Sequence, residues 1–383
     1  MSRHTIDRRA LLQRGIVGGL GLAGLTTFLD SYDLGTAFAG QAGAATNGLD
    51  PMLVAAAQKN GHLNVITLPR DWANYGELMD TFKARYKIGI TDAIPDGSSA
   101  QEVSAIKTLK GQSRAPDAVD VGPAWAAKGV QGNLFEVYKV ATWSSIPANM
   151  KEPTGLWTGD YYGVPAFLSV NSVVKQAPTD WSDLTSPTLK GKVSLGGDPR
   201  QAGEAFGAVF AAALANGGSL DNIQPGIDFF GKLKRLGNFN PVFALNANVA
   251  KGATPVAIRW DYLLLAARDV LNGNPAVTVT IPKSGHYAGY YCQAISSSAP
   301  NPDAAKLWLE YLYSDEGQLG FLKGYTHPVR YADLAKRKLI PAALSAKLPA
   351  AESYANVKFA TAQQIAAAQT LLAAQWGPKV TGS

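Results

Sequence analysis

From residue 62 onward, short apolar runs alternate with segments in which apolar positions recur every three or four residues, which predicts strands and helices laid down as α/β layers. The run 62–68 (HLNVITL) reads as a buried strand, and 77–86 (ELMDTFKARY) as a helix with Leu78, Phe82 and Tyr86 on one face. Residues 88–94 give a second strand, 100–109 a second helix and 118–121 a third strand, preceded by Pro116 and Asp117. An apolar strand at 164–170 has no helix immediately before it. Segments 192–195, 203–216, 227–236, 255–258 and 262–271 continue the alternation, and strands at 276–281 and 290–295 close it. Beyond Asp303 the pattern is helical throughout, at 303–313, 316–322, 331–337 and 361–374, so sheet chemistry is expected to end near Ser297. No internal repeat of about 20 to 50 residues is present, which excludes solenoids and propellers.

The first forty residues follow a different logic. A basic start (Arg3, Arg8, Arg9, Arg14) precedes an apolar, glycine-loosened run over 15–28. That run is shorter than the roughly 20 residues of a spanning helix and reads as the core of an export signal. Adjacent Arg8 and Arg9 followed by Ala10-Leu11-Leu12 resemble the twin-arginine type, and Ala37-Phe38-Ala39 places cleavage after residue 39. Gly19, Gly21 and Gly24 satisfy G-x-G-x-x-G, but no strand precedes them, so a dinucleotide site is rejected.

Composition narrows the chemistry further. At 383 residues and 46% hydrophobic, the chain is long enough for two domains or one large bilobal unit with real cores. A single cysteine, Cys292, excludes an intrachain disulfide, and four histidines with that one thiol form no zinc-spaced cluster. The net charge of +6 is not gathered into any dense Lys/Arg run, so a nucleic-acid partner is not expected. The sequence also lacks a G-x-S-x-G elbow, an H-E-x-x-H pair and a P-loop, which leaves only a hydrolase with scattered catalytic residues as an enzymatic reading.

Five stretches in order, at 115–138, 161–175, 178–199, 254–268 and 296–318, resemble the extracellular solute-binding proteins that feed ABC importers, of the bilobal type with two crossovers. The relevant group binds polyamines, ferric iron or phosphonates. The resemblance implies two α/β lobes, one from 40–168 with 283–383 and the other from 169–282, hinged near 165–170 and 282–286. It further implies a cleft between the lobes, capture without chemistry and no cofactor. The partners are then a small solute and a permease with its ATPase, met by a soluble periplasmic monomer. A sensor or scaffold using the same closure is the other non-enzymatic reading.

In such folds the ligand meets loops after strand ends and helix N-termini. One lobe then offers Arg70, Asp71, Trp72 and Tyr75, Ser98 and Ser99 at the next helix start, and Trp125 as a second aromatic wall. Ser98 and Ser99 suit either helix capping or an anion. The other lobe offers Arg200 and Gln201, then Arg259, Trp260, Asp261 and Tyr262, with Tyr287 at the second crossover. Ferric binders of this group carry a tyrosine pair where this chain has Trp260-Asp261-Tyr262, so only Tyr262 matches. Tyr290-Tyr291 lies on another segment, with its two side chains expected on opposite faces. Carboxylate and aromatic residues favour an organic cation, whereas Arg70, Arg200 and Arg259 favour an oxyanion; no metal ligand set is assigned.

Overall fold

The computed structural model describes residues 49–95, 97–354 and 356–382. The export signal at 1–39 lies outside the described residues. The elements run α1 (Pro51–Asn60), β1 (His62–Ile66), α2 (Tyr75–Tyr86), β2 (Gly89–Ala93), α3 (Ser99–Thr108), β3 (Ala118–Val121), α4 (Pro123–Gln131), β4 (Phe135–Glu136), β5 (Thr158–Gly163) and β6 (Pro165–Val170). There follow β7 (Val193–Leu195), α5 (Gly203–Ala215), α6 (Gln224–Leu236), α7 (Asn246–Ala250), β8 (Val256–Trp260), α8 (Asp261–Leu271), β9 (Val277–Thr280) and β10 (Gly289–Ser296). The chain ends through α9 (Pro302–Leu312), α10 (Asp315–Lys323), β11 (His327–Pro328), α11 (Tyr331–Lys336), α12 (Ala342–Ser345) and α13 (Ala362–Trp376).

These elements build two α/β lobes. In the first, β1 and β2 pair in parallel, and an antiparallel sheet runs β11-β5-β10-β3, with β4 also on β10. In the second, the order is β7-β8-β6-β9, with β7 parallel to β8 and β6 antiparallel to both neighbours. Strand β6 is buried along its whole length, which accounts for a sequence, PAFLSV, that is apolar except at Ser169. Helix α5, buried along most of its length, packs against β6, β8 and α6, and Gly226 of α6 permits a close backbone approach, since a Cβ there would lie 2.1 Å from the Val209 carbonyl oxygen. On the opposite face, Leu264 and Ala267 of α8 join Ala166, Leu168 and Ala257 in a separate core cluster.

Several elements escaped the sequence pattern, among them α1, β4, α7 and α12, and three further omissions have a clear cause. Strand β5 reads TGDYYG, with no apolar alternation, yet Thr158, Gly159, Asp160 and Tyr161 are all buried. Strand β11 comes after the expected end of sheet structure; two residues are too few to show a period, and pairing with Tyr161 and Tyr162 holds them. Helix α4 occupies residues expected as a loop, Pro123 taking the first helical position, where its missing N–H costs nothing. Strand β6, expected to serve as a crossover, is paired within the second sheet, so the short link between the sheets is Val164.

The C-terminal segment touches both lobes. Helix α13 lies against α4 and α6, and Trp376 packs on Phe230 at 5.5 Å between ring centroids. Lys358 exchanges two 2.9 Å backbone hydrogen bonds with His286 and Ala288 at the second crossover.

Candidate functional site

The lobes meet around a ring of aromatic side chains. Trp72, after β1, packs edge-on against Tyr262 of α8 and Tyr291 of β10, each at 5.8 Å. Tyr161 of β5 closes the circuit at 5.8 Å from Tyr262 and 5.9 Å from Tyr291. The indole N–H of Trp72 donates to the Tyr161 hydroxyl at 2.8 Å. Each such edge contact adds about 0.5–1.5 kcal/mol beyond area burial.

Under this ring lies an acidic floor. Asp120 of β3 accepts hydrogen bonds from the Tyr75 hydroxyl at 2.8 Å and the Tyr161 hydroxyl at 3.4 Å. Asp160 Oδ2 is 3.1 Å from the Tyr75 hydroxyl oxygen, and Gln293 Nε2 donates to Asp160 Oδ2 at 3.1 Å. Glu102 of α3 accepts the backbone N–H of Asp120 at 2.9 Å. Burial is the main force pushing the Asp120 and Glu102 carboxyls well above their usual range; for Asp120 the charges of Asp160 and Glu102 add to it. The same desolvation pushes the Tyr161 and Tyr262 phenols up, and Tyr291 as well. Among the described residues, Asp120 Oδ1, Glu102 Oε1 and the Tyr262 hydroxyl are buried without a hydrogen-bond partner.

The residues nominated from sequence divide sharply. Trp72, Tyr75, Tyr262 and, beside them, Trp260 come together at this interface. The Trp260 ring is buried between Gly207 and Gly289. Tyr287 stacks on Phe210 at 4.8 Å and on Trp260 at 6.5 Å, as a packing residue of the crossover. Asp71 is exposed, and its charge reaches the Arg259 guanidinium.

The others are engaged elsewhere. Arg70 pairs with Asp80 at 2.5 Å on an exposed surface, and Arg200 pairs with Asp198 at 2.6 Å in its own turn. Gln201 is exposed. Arg259 makes a buried two-pronged pair with Glu204, at 2.7 and 3.0 Å, and donates to Asn246 Oδ1 at 3.1 Å. Ser98 caps α3, its backbone N–H donating to Gln101 Oε1 at 2.9 Å, and the Ser99 hydroxyl accepts from Gly122 N–H. The Trp125 face is covered by Lys128, with Nζ 3.9 Å from the ring centroid.

Asp261 departs most from expectation. It is fully buried at the start of α8, accepting from Val164 N–H at 3.0 Å and from the Tyr354 hydroxyl at 2.8 Å. His327 Nε2 lies 4.0 Å away, its ring stacked on Tyr162 at 4.9 Å. Both Asp261 oxygens therefore serve the junction between the lobes.

Sequence reasoning missed Asp120, Asp160, Tyr161, Glu204 and Gln293, and set Tyr291 aside. Asp120 had a local signal, a carboxylate inside the four-residue buried strand AVDV. Tyr291 had none, because its approach to Tyr161 depends on the pairing of β10 with β5.

Comparison with known proteins agrees with this architecture. A family model described as bacterial extracellular solute-binding protein matches residues 113–366. An uncharacterized protein of Haemophilus influenzae is 29% identical over 208 residues, covering 50% of this chain and 56% of that relative, so the match spans little more than half of it. Iron uptake protein A2 of Synechocystis is 25% identical over 290 residues, covering 68% of this chain and 80% of that protein. Among solved structures, the periplasmic binding protein AfuA from Actinobacillus pleuropneumoniae, with fructose-6-phosphate bound, superposes with a TM-score of 0.67 at 19% identity, over 84% of this chain and 99% of AfuA. Iron-bound HitA from Pseudomonas aeruginosa gives 0.62 at 17% identity over 82% and 98%. The spermidine/putrescine-binding protein PotD from Streptococcus pneumoniae gives 0.59 at 15% over 83% and 99%.

Proposed function

Because the chain belongs to the family of bacterial extracellular solute-binding proteins, we propose that it captures a small organic cation of polyamine type between its lobes and delivers it to an ABC permease and its ATPase. The reading includes export, a periplasmic site of action and a monomeric working form. Opening would bend the chain at Val164 and over 281–288, the two connections between the sheets.

One observation carries the choice of ligand class: every arginine that favoured an oxyanion is committed to a carboxylate, while buried Asp120 keeps Oδ1 without a partner and has no cationic neighbour among the described residues. A micromolar complex needs about 8 kcal/mol. Cation–π contacts supply about 0.5–2 kcal/mol each, and a charge-assisted hydrogen bond about 1.5–3 kcal/mol. Three rings among Trp72, Tyr161, Tyr262 and Tyr291, each near the upper end of that range, are needed together with Asp120 to reach that sum.

A second reading, ferric iron, rests on a separate observation: three tyrosines cluster, with the Tyr161 ring 5.8 Å from Tyr262 and 5.9 Å from Tyr291 between centroids. The iron uptake relative supports it. Calorimetric titration with spermidine, inorganic phosphate and ferric citrate separates the cases. We expect saturable binding of spermidine alone; phosphate binding would refute the cation reading, and a visible phenolate-to-iron band with ferric citrate would establish the alternative.

A further inference from the structure

We propose that the Asp120–Asp160 pair holds one shared proton in the guest-free chain and releases it when a cationic guest arrives. The inference rests on the cation reading above and adds the means by which the floor balances its charge.

Hydrogen counting supplies the first ground. Tyr75 Oη accepts a 2.8 Å hydrogen bond from Gln293 Nε2 and lies 2.8 Å from Asp120 Oδ2 and 3.1 Å from Asp160 Oδ2. A phenol has one proton, which can serve one of these two carboxylates. Asp160 also accepts from Gln293 Nε2 at Oδ2 and from Tyr161 N–H at Oδ1, at 3.1 and 2.7 Å, so a proton carried by one of the two carboxyls is what would turn the remaining oxygen–oxygen contact into a further hydrogen bond. Both carboxyls reach the same Tyr75 hydroxyl oxygen, at 2.8 and 3.1 Å.

The surroundings supply the second ground. The groups facing the pair are Tyr75 from α2, Glu102 from α3, Tyr161 from β5, Cys292 and Gln293 from β10, Tyr262 from α8, Tyr291 from β10, and Tyr313 after α9. None of these is cationic. Two adjacent ionised carboxylates without a counter-charge are not tolerated in such a site, so one stays protonated. Asp120, only 6% exposed, keeps Oδ1 without a donor among the described residues, and the buried Tyr262 hydroxyl nearby is likewise unpartnered. These are the acceptor and the dipole that an ammonium would meet.

The exchange is balanced: an ammonium enters with its charge, the pair passes from one negative charge to two, and one proton goes to solvent. Affinity therefore rises with pH by up to about tenfold per unit wherever the pair is still protonated.

The test has two arms on the full chain. Infrared difference spectra near neutral pH should show a protonated-carboxyl stretch in the guest-free wild type that is lost in Asp120→Asn and diminished in Asp160→Asn. Calorimetry with spermidine in two buffers of different ionisation enthalpy should show release of about one proton per guest. In Asp160→Asn, where Asp120 is relieved of its like-charged neighbour, binding should persist with release falling toward zero. Wild-type binding without proton release, or equal release in Asp160→Asn, overturns the proposal. If spermidine does not bind, the cation reading fails, and the infrared arm still decides the shared proton: a guest-free spectrum that Asp120→Asn leaves unchanged refutes it, since Glu102 and Asp261 can also contribute a protonated-carboxyl band, and loss of intensity in Asp120→Asn with a partial loss in Asp160→Asn upholds it.

Discussion

The Tyr354 hydroxyl donates a 2.8 Å hydrogen bond to Asp261 Oδ2, joining the C-terminal segment to the first turn of α8. On the other side of the same carboxyl, Asp261 and Val164 are joined twice, by Val164 N–H to Oδ1 at 3.0 Å and by Asp261 N–H to the Val164 carbonyl at 2.8 Å. One buried carboxyl thus ties together the second lobe, the first crossover and the C-terminal segment.

That burial, opposed by the hydrogen bonds from Tyr354 and Val164, pushes Asp261 up to about 7. Unfolded aspartate titrates near about 3.9, so the native chain holds more protons than the unfolded chain between these values. The group's contribution is fully present below about pH 4 and is lost as pH rises toward 7. Asp261→Asn, which cannot ionise, should gain stability relative to wild type between pH 5 and pH 8, as read from denaturant midpoints. An unchanged difference would remove Asp261 from the list of perturbed groups.

His327 works in the opposite direction. Burial lowers it to about 4, below the roughly 6.5 of an unfolded histidine. Its contribution is complete above the unfolded value and disappears as pH falls through the folded one. His327→Gln should therefore flatten the acid limb of the wild-type stability curve between about pH 6.5 and pH 4. Thermal melts across that window check it.

Arg259 and Glu204 are both 8% exposed and share two hydrogen bonds. Removing one partner leaves a buried charge, at a cost of about 3–5 kcal/mol. Glu204→Gln and Arg259→Met should each destabilise by that order, and the double variant by clearly less than their sum. Additive losses in the double-mutant cycle would mean that the pair is not coupled.

Trp260 fits only because two glycines yield space. A Cβ at Gly207 would lie 2.2 Å from the indole Cη2, and one at Gly289 would lie 2.3 Å from it. Gly207 belongs to α5 of the second lobe and Gly289 opens β10 of the first. Gly207→Ala and Gly289→Ala should each cost about 1–3 kcal/mol through overpacking, and Trp260→Phe should recover part of the loss. A melting temperature unmoved by either alanine would contradict this packing.

The layered α/β pattern was legible because α2 carries a helical period, while β3, α5 and most of β10 are continuous buried runs of strand or helix length. Strand β5 was not, since its burial comes from pairing with β10 and β11 instead of from apolar content. The candidate site was half visible. Trp72, Tyr75 and Tyr262 follow from the rule that loops after strands and helix starts line a cleft, and they do meet. Arg70, Arg200 and Arg259 look like free donors in one dimension, because Asp80 and Glu204 reach them only after folding, and the sequence does not show that Asp198 turns back on Arg200. Asp261 looked like a ligand residue because a carboxylate beside a tryptophan is chemically suited to a cation; its partners Val164 and Tyr354 lie 97 and 93 positions away.

Small-angle X-ray scattering of the chain with and without saturating spermidine, on wild type and Asp120→Asn in parallel, probes the capture mechanism itself. We expect the wild-type radius of gyration to fall on adding the amine and that of Asp120→Asn to stay unchanged. Compaction of both proteins alike, or compaction driven by phosphate and not by spermidine, would contradict the cation-capturing cleft built on Asp120.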